Sequence, residues 1–223
     1  MMHSSQKAAA IFDVDLTLTR HDSLFLLFKF MVKKKPLLLV HLVPIGFGFL
    51  LKQLGAIGNH ALKDLFYRLL DGFPVERVQE LMFQFWQECL FHDTLPGAVA
   101  RVRHHKSQGN IIILLSASVD LYLEHLANFL QADALICTKL GLRTGGKLRY
   151  QIQGENCHGV HKLSMLQRHA IFAEIDLQRS FGYSDHHSDL PFLQSVGNPV
   201  VVNGTPKLKR FAARLKWRME SFC

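Results

Sequence analysis

The sequence predicts an α/β fold, a parallel β-sheet covered by helices. Three observations predict it. Short apolar runs recur along the chain and stop abruptly at polar residues. Stretches with helical spacing of apolar residues lie between them. The polar run-ends carry carboxylates and a serine, and in open parallel sheets ligands bind at the carboxyl ends of the strands. The 223 residues fit one large domain or a core with a smaller insert. A content of 48% hydrophobic and 20% charged residues excludes a wholly disordered chain.

The first strand is read at Ala8-Ala9-Ala10-Ile11-Phe12, running straight into Asp13, Val14 and Asp15. The second is Ile111 to Leu115, ending in Ser116-Ala117-Ser118. A weaker third is Ala134 to Cys137. The fourth is Phe181 to Ser184, ending at Asp185, and the fifth is Pro199 to Val202. Leu121 to Leu130 and Lys162 to Phe172 have helical spacing. Residues from about 20 to 95 carry no clear strand alternation. Leu24–Val32, Ala61–Leu70 and Val75–Leu90 read as helices there, with Asp22-Ser23 capping the first. This is an all-helical insert between the first and second strands. Residues 141–153 hold Gly145-Gly146 between alternating residues, the pattern of a β-hairpin.

Lys plus Arg number 26 and Asp plus Glu 18, a formal charge of +8. That excess suits phosphorylated substrates, anionic lipid or nucleic acid, and equally a soluble protein that is merely basic. Cys89, Cys137, Cys157 and Cys223 are scattered without metal-site spacing, so reduced thiols in a cytosol are expected. The first residues have no long apolar run and do not read as a secretory signal. Pro36 to Leu51 is sixteen residues without a formal charge, preceded by Lys33, Lys34 and Lys35 and followed by Lys52. It reads as a buried helix pair or as a segment at a bilayer interface; at under about 20 residues it is short for a membrane span. Lys207 to Arg218 alternates basic with apolar residues and reads as a basic amphipathic helix, packed on the core or facing an anionic membrane.

The chemistry concentrates in Asp13-Val14-Asp15-Leu16-Thr17, which is D-x-D-x-T directly after a strand. Two carboxylates so close repel and need a cation or a shared proton. One can serve as nucleophile and the other as acid and base, and Mg²⁺, a hard ion preferring oxygen, suits the pair. Ser116 can donate to a phosphoryl oxygen. Lys162 can neutralise a phosphate and a carboxylate together, and Asp185 and Asp189 add two carboxylates after another strand.

These four motifs, in this order, resemble those of the haloacid dehalogenase superfamily, in its phosphoserine phosphatase-like branch. Asp13, Asp15 and Thr17 match the first motif, Ser116 the second, Lys162 the third, and Asp185 with Asp189 the fourth. Gly154 to Gly159 also resembles the loop that precedes the lysine in this branch. The resemblance implies a Rossmann-like three-layer sandwich with a parallel sheet, made of residues 1–20 and 96–223, and an all-helical cap of the C1 type at 21–95. It implies Asp13 as nucleophile forming an aspartyl-phosphate and Asp15 as general acid and base. Ser116, Lys162 and Thr17 would bind phosphate. Mg²⁺ would be held by Asp13, the backbone carbonyl of Asp15 and Asp185, with Asp189 in support. Leu16 departs from the glycine common at that position. Asp22 stands where phosphoserine phosphatases carry a glutamate for the substrate's amine, one methylene shorter, and no cap arginine matches. The mechanism therefore carries over and phosphoserine does not.

The apolar, lysine-flanked cap, with Phe25, Phe28, Phe30, Phe47, Phe49 and Phe66, resembles that of phosphatidylglycerophosphatase C. The expected function is a Mg²⁺-dependent phosphatase acting on a soluble phosphomonoester. The alternatives are a membrane-associated lipid phosphatase, a phosphotransferase, and a non-enzymatic membrane-surface protein. The expected partners are a phosphorylated small molecule or a lipid phosphate, and an anionic membrane surface. No nucleic acid is expected. The expected site is the cytoplasm, or the inner face of its membrane.

Overall fold

The computed structural model describes residues 6–142 and 149–222. Its seven strands are β1 (Ala9–Phe12), β2 (Ile111–Val119), β3 (Ala134–Leu142), β4 (Tyr150–Gln153), β5 (Phe181–Ser184), β6 (Asn198–Val202) and β7 (Arg218–Glu220). They form one sheet in the order β4-β3-β2-β1-β5-β6-β7. All neighbours are parallel except β3 and β4.

The central strands are apolar runs because both their faces are covered. On one side Ala10, Phe12, Ile112 and Leu114 pack with α6 (Pro96–Ser107) and α7 (Asp120–Leu130). On the other, Ala9, Ile11, Ile113 and Leu115 pack with α8 (Val160–Arg168), α9 (Leu190–Leu193) and α10 (Pro206–Arg214). This is the expected three-layer α/β sandwich. Register does the rest. Phe12 lies between Leu114 and Tyr183, so the residues that follow each strand emerge together at one sheet end. Asp13 continues the ladder, donating its N–H to the Tyr183 carbonyl at 2.9 Å.

The regular elements between β1 and α6 are all helical: α1 (Ser23–Lys34), a 3₁₀ segment (Pro36–His41), α2 (Leu42–Gln53), α3 (Asn59–Tyr67), a 3₁₀ turn (Arg68–Leu70), α4 (Val75–Phe85), a π-turn (Trp86–Leu90) and α5 (Phe91–Asp93). Asp22 caps α1, accepting from the N–H groups of Leu24 and Phe25. The insert leaves and rejoins the sheet through paired backbone. Arg20 N–H donates to the Asp93 carbonyl and Leu95 N–H to the Leu18 carbonyl, both at 2.9 Å. Phe66 is its aromatic hub, meeting Phe25, Phe28 and Phe49. The insert also covers the free edge of β4. Asp71 accepts from Tyr150 N–H at 2.8 Å and Asp64 from Ile152 N–H at 3.0 Å.

The 141–153 hairpin forms as β3 paired with β4, Leu142 opposite Tyr150; its Gly145-Gly146 turn lies outside the described residues. Two elements differ from the sequence reading. The C-terminal helix ends at Arg214, buries Leu208 and Ala212, and turns its basic face to solvent. Lys216 then takes a left-handed conformation (φ 56°) and the chain adds β7 beside β6. Three residues, Arg-Met-Glu, carry too little pattern to announce a strand. The Pro36–Gln53 segment is long and apolar enough to cross a membrane by composition, yet only 17% of it is buried, so it is no buried helix pair.

A buried histidine ties α6 to the sheet. Asn110 donates to His105 Nδ1 at 2.9 Å, which leaves Nε2–H to donate to the Tyr183 hydroxyl at 2.7 Å. Burial, with help from His104 and Arg101, pushes the His105 pKa down to about 4. In the unfolded chain it titrates near its ordinary 6.5. Between those values the unfolded state binds the extra proton. Stability from this group is therefore lost as pH falls from about 6.5 to about 4, by on the order of 3 kcal/mol. In His105→Leu that loss is absent. The gap in unfolding free energy between the native chain and the variant is expected to narrow as pH drops from about 7 to about 4.5. Denaturant titration checks this, and parallel curves would contradict it.

Candidate active site

The three strand ends and the helical insert enclose a cavity of about 550 Å³. Asp13, Asp15 and Leu16 after β1, Ala117 and Ser118 in β2, and Asp185 to Asp189 after β5 line its floor. From the insert come Asp22, Lys52, Lys63 and an apolar wall of Leu24, Phe25, Phe49, Leu62 and Phe66.

The centre is an ion-paired triad. Lys162, buried on the first turn of α8, donates to Asp13 Oδ1 at 2.5 Å and to Asp189 Oδ2 at 2.6 Å. Gly159 makes that placement by leading into α8 at φ 61°, ψ −127°, a conformation open to glycine alone. Asp189 Oδ2 also accepts from Ser184 Oγ at 2.7 Å, and Asp13 Oδ2 from Thr17 Oγ1 at 3.3 Å. Burial opposes the charge on Lys162, but Asp13 and Asp189 outweigh it and hold the ammonium above its usual range. Burial likewise opposes the Asp189 anion, and Lys162 wins, keeping it low.

Asp13 goes the other way. Burial is the largest influence, and the charges of Asp189 and Asp15 join it against Lys162, raising Asp13 to about 7. Asp185 rises to about 8, by burial first and then by Asp13 and Asp189. Among the described residues no basic side chain pairs with Asp185. Five carboxylates (Asp13, Asp15, Asp22, Asp185, Asp189) face three lysines, the buried Lys162, the half-buried Lys63 and the exposed Lys52, so the cavity has room electrostatically for a cation. Among the described residues no three His, Cys, Asp or Glu side chains converge as a metal cage. Two oxygen donors and open space fit Mg²⁺, which keeps waters and takes one or two carboxylates beside a phosphate.

Asp15 faces the insert. Its Oδ1 accepts from Ser23 N–H at 2.7 Å and its Oδ2 from Ser118 Oγ at 2.6 Å. Ser23 Oγ in turn lies 3.0 Å from Ser118 Oγ and 3.1 Å from the Tyr122 hydroxyl. The first helix of the insert is thus fastened to the strand-end carboxylate. Ser116 is fully buried behind this surface, its Oγ accepting from Ser118 N–H at 3.0 Å. Ala117 and Ser118 form the lining there. Asp22 combines its capping role with a place on the cavity wall; burial, then Asp15, raises its pKa. Leu16 adopts φ 61°, so the tight turn that glycine would take freely is made here by a strained leucine.

Among the cavity residues that escaped the sequence reading, three stand out. Lys63 on α3 reaches across to the sheet and donates to the Ala117 carbonyl at 2.7 Å. Burial lowers its pKa against the pull of Asp15 and Asp22. Its sequence signal was there: Lys63, Phe66, Tyr67 and Leu70 share one helical stripe whose other members are buried. Ser118 had no motif to mark it. His187 lines the cavity with its Nδ1 buried and without a partner among the described residues. Removing the Ser118 hydroxyl is expected to free Asp15 and cut turnover by about 10–100-fold with KM little changed. Steady-state kinetics of Ser118→Ala check this, and unchanged kcat would contradict it.

Comparison with known proteins places the chain in a family. The family model for haloacid dehalogenase-like hydrolases matches residues 10–194, and the chain belongs to that family. It is 23% identical to a histidinol-phosphatase of Neisseria meningitidis, over 97% of this chain and 99% of that one. It is 23% identical to the phosphoserine phosphatase SerB1 of Mycobacterium tuberculosis, over 96% of this chain and 71% of that one. A solved protein of Bordetella pertussis Tohama I superposes with a TM-score of 0.86 at 20% identity, covering 98% of this chain and all of the other.

Proposed function

We propose that this hydrolase is a Mg²⁺-dependent phosphomonoesterase that works through an aspartyl-phosphate on Asp13. The observation that carries the reading is the buried Asp13–Lys162–Asp189 triad at the tip of β1, open to a cavity with Asp15 two residues away. In this reading residues 1–20 and 96–223 are the catalytic core and 21–95 the cap. Asp13 attacks phosphorus while the ester P–O bond breaks. Asp15 gives its proton to the leaving oxygen, then takes one from the water that attacks the acyl phosphate. Free phosphate leaves and both carboxylates are restored. Lys162 holds phosphoryl oxygens, Thr17 steadies Asp13, and Asp189 steadies Lys162; Ser116, buried behind Ser118, joins Lys162 on the phosphoryl group when the tip of β2 shifts around the bound substrate. Asp13, Asp185 and the Asp15 carbonyl would hold Mg²⁺, which when bound offsets charge on the phosphoryl group. Lys63 and Asp22 face the rest of the substrate and set its class.

The two phosphatase relatives carry the names of different substrates, so family membership leaves the substrate to the cap. A soluble phosphate ester is the first reading, with the enzyme in the cytoplasm. Cys89, Cys137 and Cys157 are unpaired, in keeping with a reducing compartment. A second reading, a lipid phosphate of the kind phosphatidylglycerophosphatases hydrolyse, is favoured by the apolar wall of Phe25, Phe49 and Phe66. The test is phosphate release in Mg²⁺ or EDTA across a panel. The panel holds an aryl phosphate, phosphoserine, histidinol phosphate, sugar and nucleoside monophosphates, and phosphatidylglycerophosphate in mixed micelles. Release without an added acceptor, abolished by EDTA, is expected. Release only when an acceptor alcohol is present would make the protein a phosphotransferase. No release from folded, Mg²⁺-loaded protein would favour a non-enzymatic role.

A further inference from the structure

The Pro36–Leu54 segment carries two faces of opposite character. Leu38 and Ile45 are buried, and Gly48 lies so close to α3 that an added Cβ would meet Leu65 Cδ1 at 2.5 Å. That face glues the segment lengthwise to the insert. The other face is bare. Leu37, Val40, Val43, Phe47, Leu50 and Leu54 recur at spacings of three and four and form one continuous outward stripe. Leu37 is 76% exposed, Val43 75% and Leu54 72%. An unbroken apolar ridge of this length marks a contact surface.

Charge identifies the partner. Between Asp22 and Asp64 the chain has no acidic residue and six lysines. Lys33, Lys34 and Lys35 stand exposed at one end of the ridge and Lys52 at the other. Only Lys34 has an acidic partner among the described residues, Glu88 at 2.7 Å. A second copy of the chain docked by a two-fold contact would bring lysine against lysine in either register, with no acid on the face to offset them. An apolar ridge flanked by lysines complements a bilayer with anionic headgroups, hydrocarbon for the ridge and phosphate for the lysines. The same helix reaches the active site, because Phe49 and Lys52 line the cavity.

We propose that the outer face of Pro36–Leu54 is a docking surface for anionic lipid bilayers, lying flat at the interface and holding the cavity mouth beside the headgroups. The proposal goes beyond the catalytic reading and holds whether the phosphate ester is soluble or lipid.

The experiment uses no substrate, so its failure is separate from a failure of the phosphatase reading. The full chain is sedimented with vesicles of phosphatidylglycerol and phosphatidylcholine, and with phosphatidylcholine alone. Binding to the anionic vesicles that weakens with salt is expected. Val43→Glu with Phe47→Glu should lower it at least about tenfold. Changing Lys33, Lys34 and Lys35 to Gln should lower it and flatten the salt dependence. Met219→Glu, at an exposed apolar residue on β7, should leave it unchanged. Thermal midpoints establish that each variant is folded. Phe47→Trp gives a readout that needs no loss of binding: its fluorescence should be quenched by brominated lipid. The proposal is overturned by native protein that ignores anionic vesicles, by a Val43→Glu, Phe47→Glu variant that binds as well as the native chain, or by a Phe47→Trp signal indifferent to lipid. A concentration-dependent dimer dissolved by the same substitutions, without vesicle binding, would assign the ridge to a second copy.

Discussion

Asp13→Asn is expected to lose turnover by about 10⁴-fold or more while remaining folded. A carboxamide has no anionic oxygen to attack phosphorus. It keeps the shape of the carboxylate: its oxygen still accepts from Lys162, whose bond to Asp13 Oδ1 is 2.5 Å long, and its NH2 donates to the Thr17 hydroxyl, which lies 3.3 Å from Asp13 Oδ2. It also takes one negative charge out of a crowded acidic cavity, where burial and the neighbouring carboxylates already raise Asp13 to about 7. The unfolding free energy should therefore stay within about 1 kcal/mol of the native chain. Phosphate release and denaturant unfolding of the same preparation check both halves. Substantial Mg²⁺-dependent release by folded Asp13→Asn would sink the nucleophile assignment.

Lys162→Met is expected to damage both activity and stability, and that contrast separates the two residues. Lys162 is the shared cation of Asp13 and Asp189, both buried. Methionine fills the volume of the stem and leaves two carboxylates without a counter-charge. Breaking a buried ion pair from one side costs about 3–5 kcal/mol. Losing a preorganised positive donor at the phosphoryl group costs a further factor of about 10²–10³ in rate. Equilibrium unfolding should show Lys162→Met well below Asp13→Asn. Equal stability of the two variants would mean that the triad is not the keystone of the site.

Much of this was readable from the chain. Buried parallel strands must be apolar on both faces, so Ile111 to Leu115 and Ala9 to Phe12 announced themselves as runs. Because register aligns the strand ends, Asp13, Ser116 and Asp185 gather at one end of the sheet, as their place after apolar runs implies. What escaped depends on contacts made across the chain. Lys63 meets Ala117 over a separation of 54 residues, and Ser118 meets Asp15 over 103. No local pattern encodes either. Asp189 was read as support for a metal; that its Oδ2 accepts from both Lys162 and Ser184 no local pattern showed. The apolar tract offered several readings because composition cannot say which helix face finds a neighbour. Gly48 packing on α3 supplies that answer. The strand β7 was hidden in a basic tail whose helical spacing runs past the point where Lys216 reverses the chain.

The most direct test of the account is to trap the covalent intermediate. The native protein is mixed with excess phosphate ester in Mg²⁺, quenched in acid and reduced with borohydride, which converts an aspartyl-phosphate to homoserine. Peptide mass spectrometry then locates it. The expected result is homoserine at position 13, absent without substrate and absent in Asp13→Asn. Steady phosphate release with no homoserine, or with homoserine at Asp15 or Asp185, would contradict it.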